Sequence, residues 1–130
     1  MLERTAINPW KWSTALGFDQ AHLIEGHRRQ LVCSGQDAVD ADGSPAHPGD
    51  MGAQLELALD NLEAVLDAAD MRLANTVRLT VYTTEVDELF THWTRLTDRF
   101  GAHRFTTTVL GVTRLAAPSL LVLLEATALD

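Results

Sequence analysis

Leu55, Leu59, Leu62 and Leu66 recur at spacings of four, three and four, which places them on one face of a helix. Glu56, Asp60, Glu63 and Asp67 fall on the opposite face, and Asp50 stands where an N-cap carboxylate belongs. A helix over about Met51–Ala69 is therefore predicted. Its carboxylates read as a solvated face, because metal capture needs convergence from more than one element. From Thr76 to Thr84 the period changes to two, with Val77, Leu79 and Val81 alternating against Arg78, Thr80 and Tyr82, the signature of a strand. Val86, Phe90, Trp93, Leu96 and Phe100 form the inner stripe of a second helix, about Glu85–Phe100. Phe105–Val112 is β-branched and reads as a strand. Leu120–Leu124 is uninterruptedly apolar, so a strand buried on both faces is expected there, begun by Pro118 and nearly ended by Glu125.

The N-terminal third is less regular. Ala21–Glu25 and Arg28–Cys33 read as two strands joined in a hairpin at Gly26-His27. Gly35 marks a bulge or a close backbone approach, and 37–50, rich in Asp, Gly, Pro and Ala, reads as a loop. Residues 1–18 form an irregular leader whose Trp10 and Trp12 are expected to dock on the body. The order β, β, loop, α, β, α, β, β puts two helices on one face of a mixed sheet. The other face is left uncovered, and another copy of the chain is the expected cover.

Length and charge narrow the classes. A chain of 130 residues is one domain, 1–130. Ten basic against eighteen acidic residues give a formal charge of -8, with no basic run, which argues against nucleic acid and anionic membrane surfaces. Cys33 is the one cysteine, so no intrachain disulfide can form, and it reads as a small buried apolar residue. The N-terminal segment lacks a signal-like apolar core, and Leu115–Leu129 is too short and too interrupted to span a membrane, so a cytoplasmic location is expected. His22, His27, His47, His92 and His103 form no metal-ligand pattern. No phosphate-binding glycine loop and no nucleophile elbow occurs. Ser34 lacks an evident base and reads as a hydroxyl bonding local backbone.

Several segments, taken in order, resemble the RidA family, also called YjgF or endoribonuclease L-PSP. They are Val32-Cys33-Ser34-Gly35-Gln36, Gly49-Asp50 with Gln54 and Asn61, Asn75 to Thr84, Gly111 to Leu115, and Leu121 to Ala128. The resemblance implies an α+β, chorismate mutase-like fold: a mixed six-stranded sheet with two helices on one face, in a homotrimer with a central β-barrel. It also implies a small-molecule metabolite in each intersubunit cleft, water-dependent deamination of enamines and imines, and no cofactor or metal. Deaminating relatives hold the substrate carboxylate with an arginine, a residue suited to bidentate recognition. Alignment on Val112 to Leu115 puts Thr107 there. The water-handling glutamate becomes Leu123, the cleft tyrosine becomes Phe18 and a helix asparagine corresponds roughly to Trp93, while Gly35 is kept. The resemblance thus implies an arginine-lacking relative with a more apolar cleft lined by Phe18, Gly35, Trp93, Thr107, Val109 and Leu123. Arg104 and Arg114 are the candidate substitute anchors for an enamine/imine hydrolase.

Overall fold

The computed structural model describes residues 1–130. Seven strands and three helices follow one another as β1 (Glu3–Ile7), β2 (Ala21–Glu25), β3 (Gln30–Val32), β4 (Gln36–Asp37), α1 (Met51–Ala68), β5 (Thr76–Thr83), α2 (Val86–Thr91), α3 (Trp93–Phe100), β6 (Thr106–Gly111) and β7 (Val122–Leu129). The central mixed sheet runs β3-β7-β5-β6, with β4 also on β7, and β1 and β2 form a separate antiparallel pair. β5 and β6 are parallel, in register Leu79 with Thr107 and Val81 with Val109, and β7 pairs antiparallel with β5.

α1 is the element read most directly from its periodicity. Asp50 caps it by accepting from the Ala53 amide at 3.0 Å. Leu55, Leu59, Leu62 and Leu66 are fully buried against the sheet face that carries Leu79, Val81, Val122 and Leu124. Its polar face is not simply solvated. Arg99 of α3 donates to Glu56, Asp60 and Glu63 at 3.0, 2.7 and 3.1 Å, fastening α3 to α1. Gln54 and Asn61 bind backbone: Gln54 donates to the His47 and Ser119 carbonyls and accepts from the Leu121 amide, while Asn61 donates to the Asp37 and Val39 carbonyls. Two side chains of one helix thus hold the 37–50 segment and the entry to β7.

Several expectations are corrected. The leader is not irregular throughout, because Glu3–Ile7 pairs with Ala21–Glu25. The expected hairpin is therefore absent: β2 pairs backward with β1, and β3 pairs with β7. Competition for a partner decides this, since β7 is long enough to take β3, β4 and β5. Trp10 and Trp12 do not bury themselves, being 62% and 61% exposed. The 37–50 segment carries β4 at its start and a bridge from Val39 to Pro45. The second helix breaks at His92 into α2 and α3, which shifts the helical phase: Leu89 is buried and Phe90 is 52% exposed. The last strand runs Val122–Leu129 and alternates, with Val122, Leu124, Ala126 and Ala128 buried, Leu123 half-buried and Glu125 exposed in mid-strand. The open face of the sheet is mostly polar, bearing Arg78, Tyr82 and Glu125, and the Tyr82 hydroxyl donates to Glu125 Oε1 at 3.3 Å. Cys33 lies in the core as expected, and burial pushes its thiol pKa up.

No helix is long and apolar enough to cross a membrane.

Candidate functional site

β6 is one edge strand of the sheet, and beside it the chain leaves a cavity of about 480 Å³. Thr107 and Val109 supply one wall. They project to the helix-covered side, because parallel pairing aligns them with buried Leu79 and Val81. Phe90 of α2 and Trp93 of α3 supply a second wall, and Trp12, Leu16 and Phe18 of the leader close the third. A single turn over Thr14–Leu16 ends at Gly17, whose φ of 92° is a left-handed conformation that glycine adopts without a Cβ penalty. That turn brings Phe18 beside Phe105, and the Asp19 amide donates to the Phe105 carbonyl at 3.0 Å.

The aromatic rings are arranged in two edge-to-face pairs. Trp12 and Phe18 have centroids 5.8 Å apart at 83°, and Phe90 and Trp93 have centroids 6.0 Å apart at 70°. Two of the three polar side-chain groups of the lining are spent on the protein itself. Trp93 Nε1 donates to the Leu16 carbonyl at 3.1 Å, and Thr107 Oγ1 donates to the Leu79 carbonyl at 2.7 Å. No charged side chain lines the cavity.

Four of the six cleft residues named from the sequence, Phe18, Trp93, Thr107 and Val109, thus converge on one cavity. Gly35 and Leu123 belong to another place. They lie against each other where β4 joins β7, so closely that a Cβ on Gly35 would sit 2.5 Å from Leu123 Cδ2. The close approach anticipated at Gly35 is therefore made to Leu123. Trp12, Leu16 and Phe90 complete the cavity and were not singled out as cleft residues. The pair of leader tryptophans is the one signal in the sequence for Trp12, and the break between α2 and α3 turns Phe90 from the expected inner stripe into the cavity.

The candidate substitute anchors lie elsewhere within the chain. Arg114 is exposed in the β6–β7 connection and donates to the Leu115 and Ala116 carbonyls at 3.2 and 3.3 Å. Arg104 lines a second, polar cavity of about 240 Å³ with Arg4, Asp19, His22 and His103. There Asp19 accepts from Asn8 Nδ2 and His22 Nε2, both at 2.8 Å. Burial pushes the Asp19 carboxyl upward, but these bonds and the charges of His22 and Arg104 outweigh it and hold its pKa below the ordinary value. His103 Nε2 lies 2.8 Å from the Thr76 carbonyl, which assigns its proton to Nε2, and Nδ1 accepts from Arg4 at 3.2 Å. Burial, aided by the Arg4 charge, outweighs the opposing bond to the Thr76 carbonyl and lowers the His103 pKa. The sequence offered no sign of this cluster, whose members span residues 4 to 104.

The sequence profile described as endoribonuclease L-PSP matches residues 14–130. Among solved structures, a Rid-family protein of unknown function from Yersinia pestis, YyfB, is 32% identical with a TM-score of 0.89, covering 98% of each chain. A YjgF/YER057c/UK114-family member from Mycobacterium tuberculosis is 29% identical with a TM-score of 0.68, covering 98% of this chain and all of its own. A putative endoribonuclease from Thermotoga maritima is 28% identical with a TM-score of 0.71, over 87% of this chain and 86% of that one. No curated protein matches this sequence.

Proposed function

The chain belongs to the endoribonuclease L-PSP family, also known as Rid or YjgF, and from that premise we propose that it acts as a homotrimer that binds a small metabolite between neighbouring subunits. The observation that carries this is the convergence of Phe18, Trp93, Thr107 and Val109 on one aromatic-walled cavity at the sheet edge. Its volume falls in the range of about 300–1,000 Å³ common to ligand pockets. Gly35 and Leu123 form a separate surface on the same chain. A heterologous interface that closes as a ring brings one such surface of each subunit to a different surface of the next. In this reading each cleft takes its aromatic wall from one subunit and its Gly35–Leu123 wall from the neighbour.

Native mass spectrometry of the purified protein tests this. A trimeric mass that retains a small molecule is expected; a monomer at tens of micromolar with nothing bound overturns it. The reaction assigned to deaminating relatives does not transfer with the fold, because Thr107 and Leu123 stand where the carboxylate anchor and the water-handling acid would be. Loss of a desolvated charged partner costs on the order of 2–5 kcal/mol. With iminopyruvate generated by an amino-acid dehydratase, ammonia release should match the buffer control. Release well above it, abolished by Arg104→Ala or Arg114→Ala, would instead establish an enamine/imine hydrolase with a substitute anchor.

A further inference from the structure

We propose that the aromatic cavity selects a neutral, planar aromatic molecule and rejects the anionic, amino-acid-derived compounds its position in the fold would suggest. The inference deepens the reading above and rests on it. Three observations carry it. The wall contributed by Trp12, Phe18, Phe90 and Trp93 is two edge-to-face ring pairs, and such pairs accept a further ring at an edge or an offset face. Of the three polar side-chain atoms in the lining, Trp93 Nε1 and Thr107 Oγ1 already donate to backbone carbonyls, which leaves the neutral indole N–H of Trp12 as the one unspent donor. No cation lines the cavity, and the chain as a whole carries a formal charge of -8.

An anion entering such a cavity leaves its hydration shell and meets no counter-charge, and a single indole N–H does not replace that shell, so its transfer is unfavourable. A cation meets ring faces but no carboxylate. A neutral ring exchanges water for apolar contact along all three of these walls. Trp12 at 61% and Phe90 at 52% exposure also make sense on this view, since exposed large apolar side chains grouped around one concavity mark a binding surface.

One ring in three charge states tests the proposal: indole, indole-3-acetate and tryptamine, titrated calorimetrically into the intact protein. Indole is expected to bind about tenfold or more tightly than either charged analogue. Phe90→Ala, at a half-exposed position that the core does not need, is expected to weaken indole by about tenfold while near-ultraviolet circular dichroism confirms the fold. Thr107→Arg should bring indole-3-acetate to at least parity with indole. Should that variant fail to fold, Leu16→Ala serves beside Phe90→Ala as the second cavity probe. If the wild type prefers indole-3-acetate or tryptamine and Phe90→Ala weakens that binding, the cavity is a ligand site but the neutral class is wrong. If no probe binds, or if Phe90→Ala and Leu16→Ala change nothing, the site itself falls and the proposal with it.

Discussion

Two cavities lie on either side of the junction between Phe18-Asp19 and Phe105, and they differ in almost every property that matters to a ligand. Phe18 faces the apolar one and Asp19 the polar one. Arg104 lines the polar cavity, and Thr107, three residues on, lines the apolar one. In the apolar cavity no lining side chain carries a charge and nothing titrates. In the polar cavity five ionisable side chains meet, and His22 Nδ1 and Arg4 Nε are buried without a partner. Strand alternation makes this segregation possible: a one-residue or three-residue offset along an extended segment reverses the face a side chain presents. A cation three residues from a missing anchor therefore does not replace it within the chain.

The largest expected effect comes from removing the partition. Phe105 is fully buried and packs on Phe100 with centroids 4.3 Å apart. Phe105→Ala should cost about 3–5 kcal/mol, read as a lower urea midpoint, and should weaken indole binding because the Phe18 segment loses its support. Unchanged stability would mean that the two cavities are not separated by a packed wall.

Next in size is Asp19→Ala. It strands the donors on Asn8 and His22 in a buried place, at about 1–3 kcal/mol. Indole affinity should stay within about twofold, since Asp19 does not line the apolar cavity. The same carboxylate makes the protein acid-sensitive. A depressed folded-state pKa gives stability that is present above the unfolded value and lost as pH falls through the folded one. Asp19→Ala should remove that part of the acid limb below about pH 4.

His103 supplies a smaller, separate dependence. Its pKa is lowered on folding, so the folded state favours the neutral ring and the unfolded chain binds more protons below about pH 6.5. Stability from this group is complete above that pH and declines as pH drops from there through the folded value. The urea midpoint should be lower at pH 5.5 than at pH 7.5, and His103→Gln should narrow the gap. An unaltered gap would show that His103 is not held buried in solution.

The contrast between the cavities also explains what could be read from the sequence. α1 was legible because a local cap and a regular apolar spacing act within one element. The aromatic cavity was legible in part: Phe18, Trp93, Thr107 and Val109 follow from ordered motifs, while Phe90 depended on a helix break at His92 that no proline or glycine announces. The β1–β2 pair was hidden because Glu3–Ile7 shows little periodicity and its partner competed with a nearer apparent hairpin. The polar cavity was illegible. Arg4, Asp19 and His103 are brought together by chain reversals between elements far apart in sequence, and no spacing rule connects them.

The smallest effect expected, and the one that decides between the two functional readings, belongs to Arg104→Ala. Arg104 is exposed, forms no ion pair within hydrogen-bond range, and touches the apolar cavity nowhere. Stability at neutral pH should change by no more than about 0.5 kcal/mol. Its charge does help to hold the Asp19 pKa down, so the acid limb of unfolding should move slightly toward higher pH. Indole binding and the background rate with iminopyruvate should both stay at wild-type values. An anchor contributed by a neighbouring subunit would give a different pattern: neutral-pH stability untouched, but binding of an anionic ring or turnover of an imine reduced at least tenfold. A combined measurement of stability and anion binding on this one variant therefore separates an arginine that tunes a buried carboxylate from one that holds a substrate.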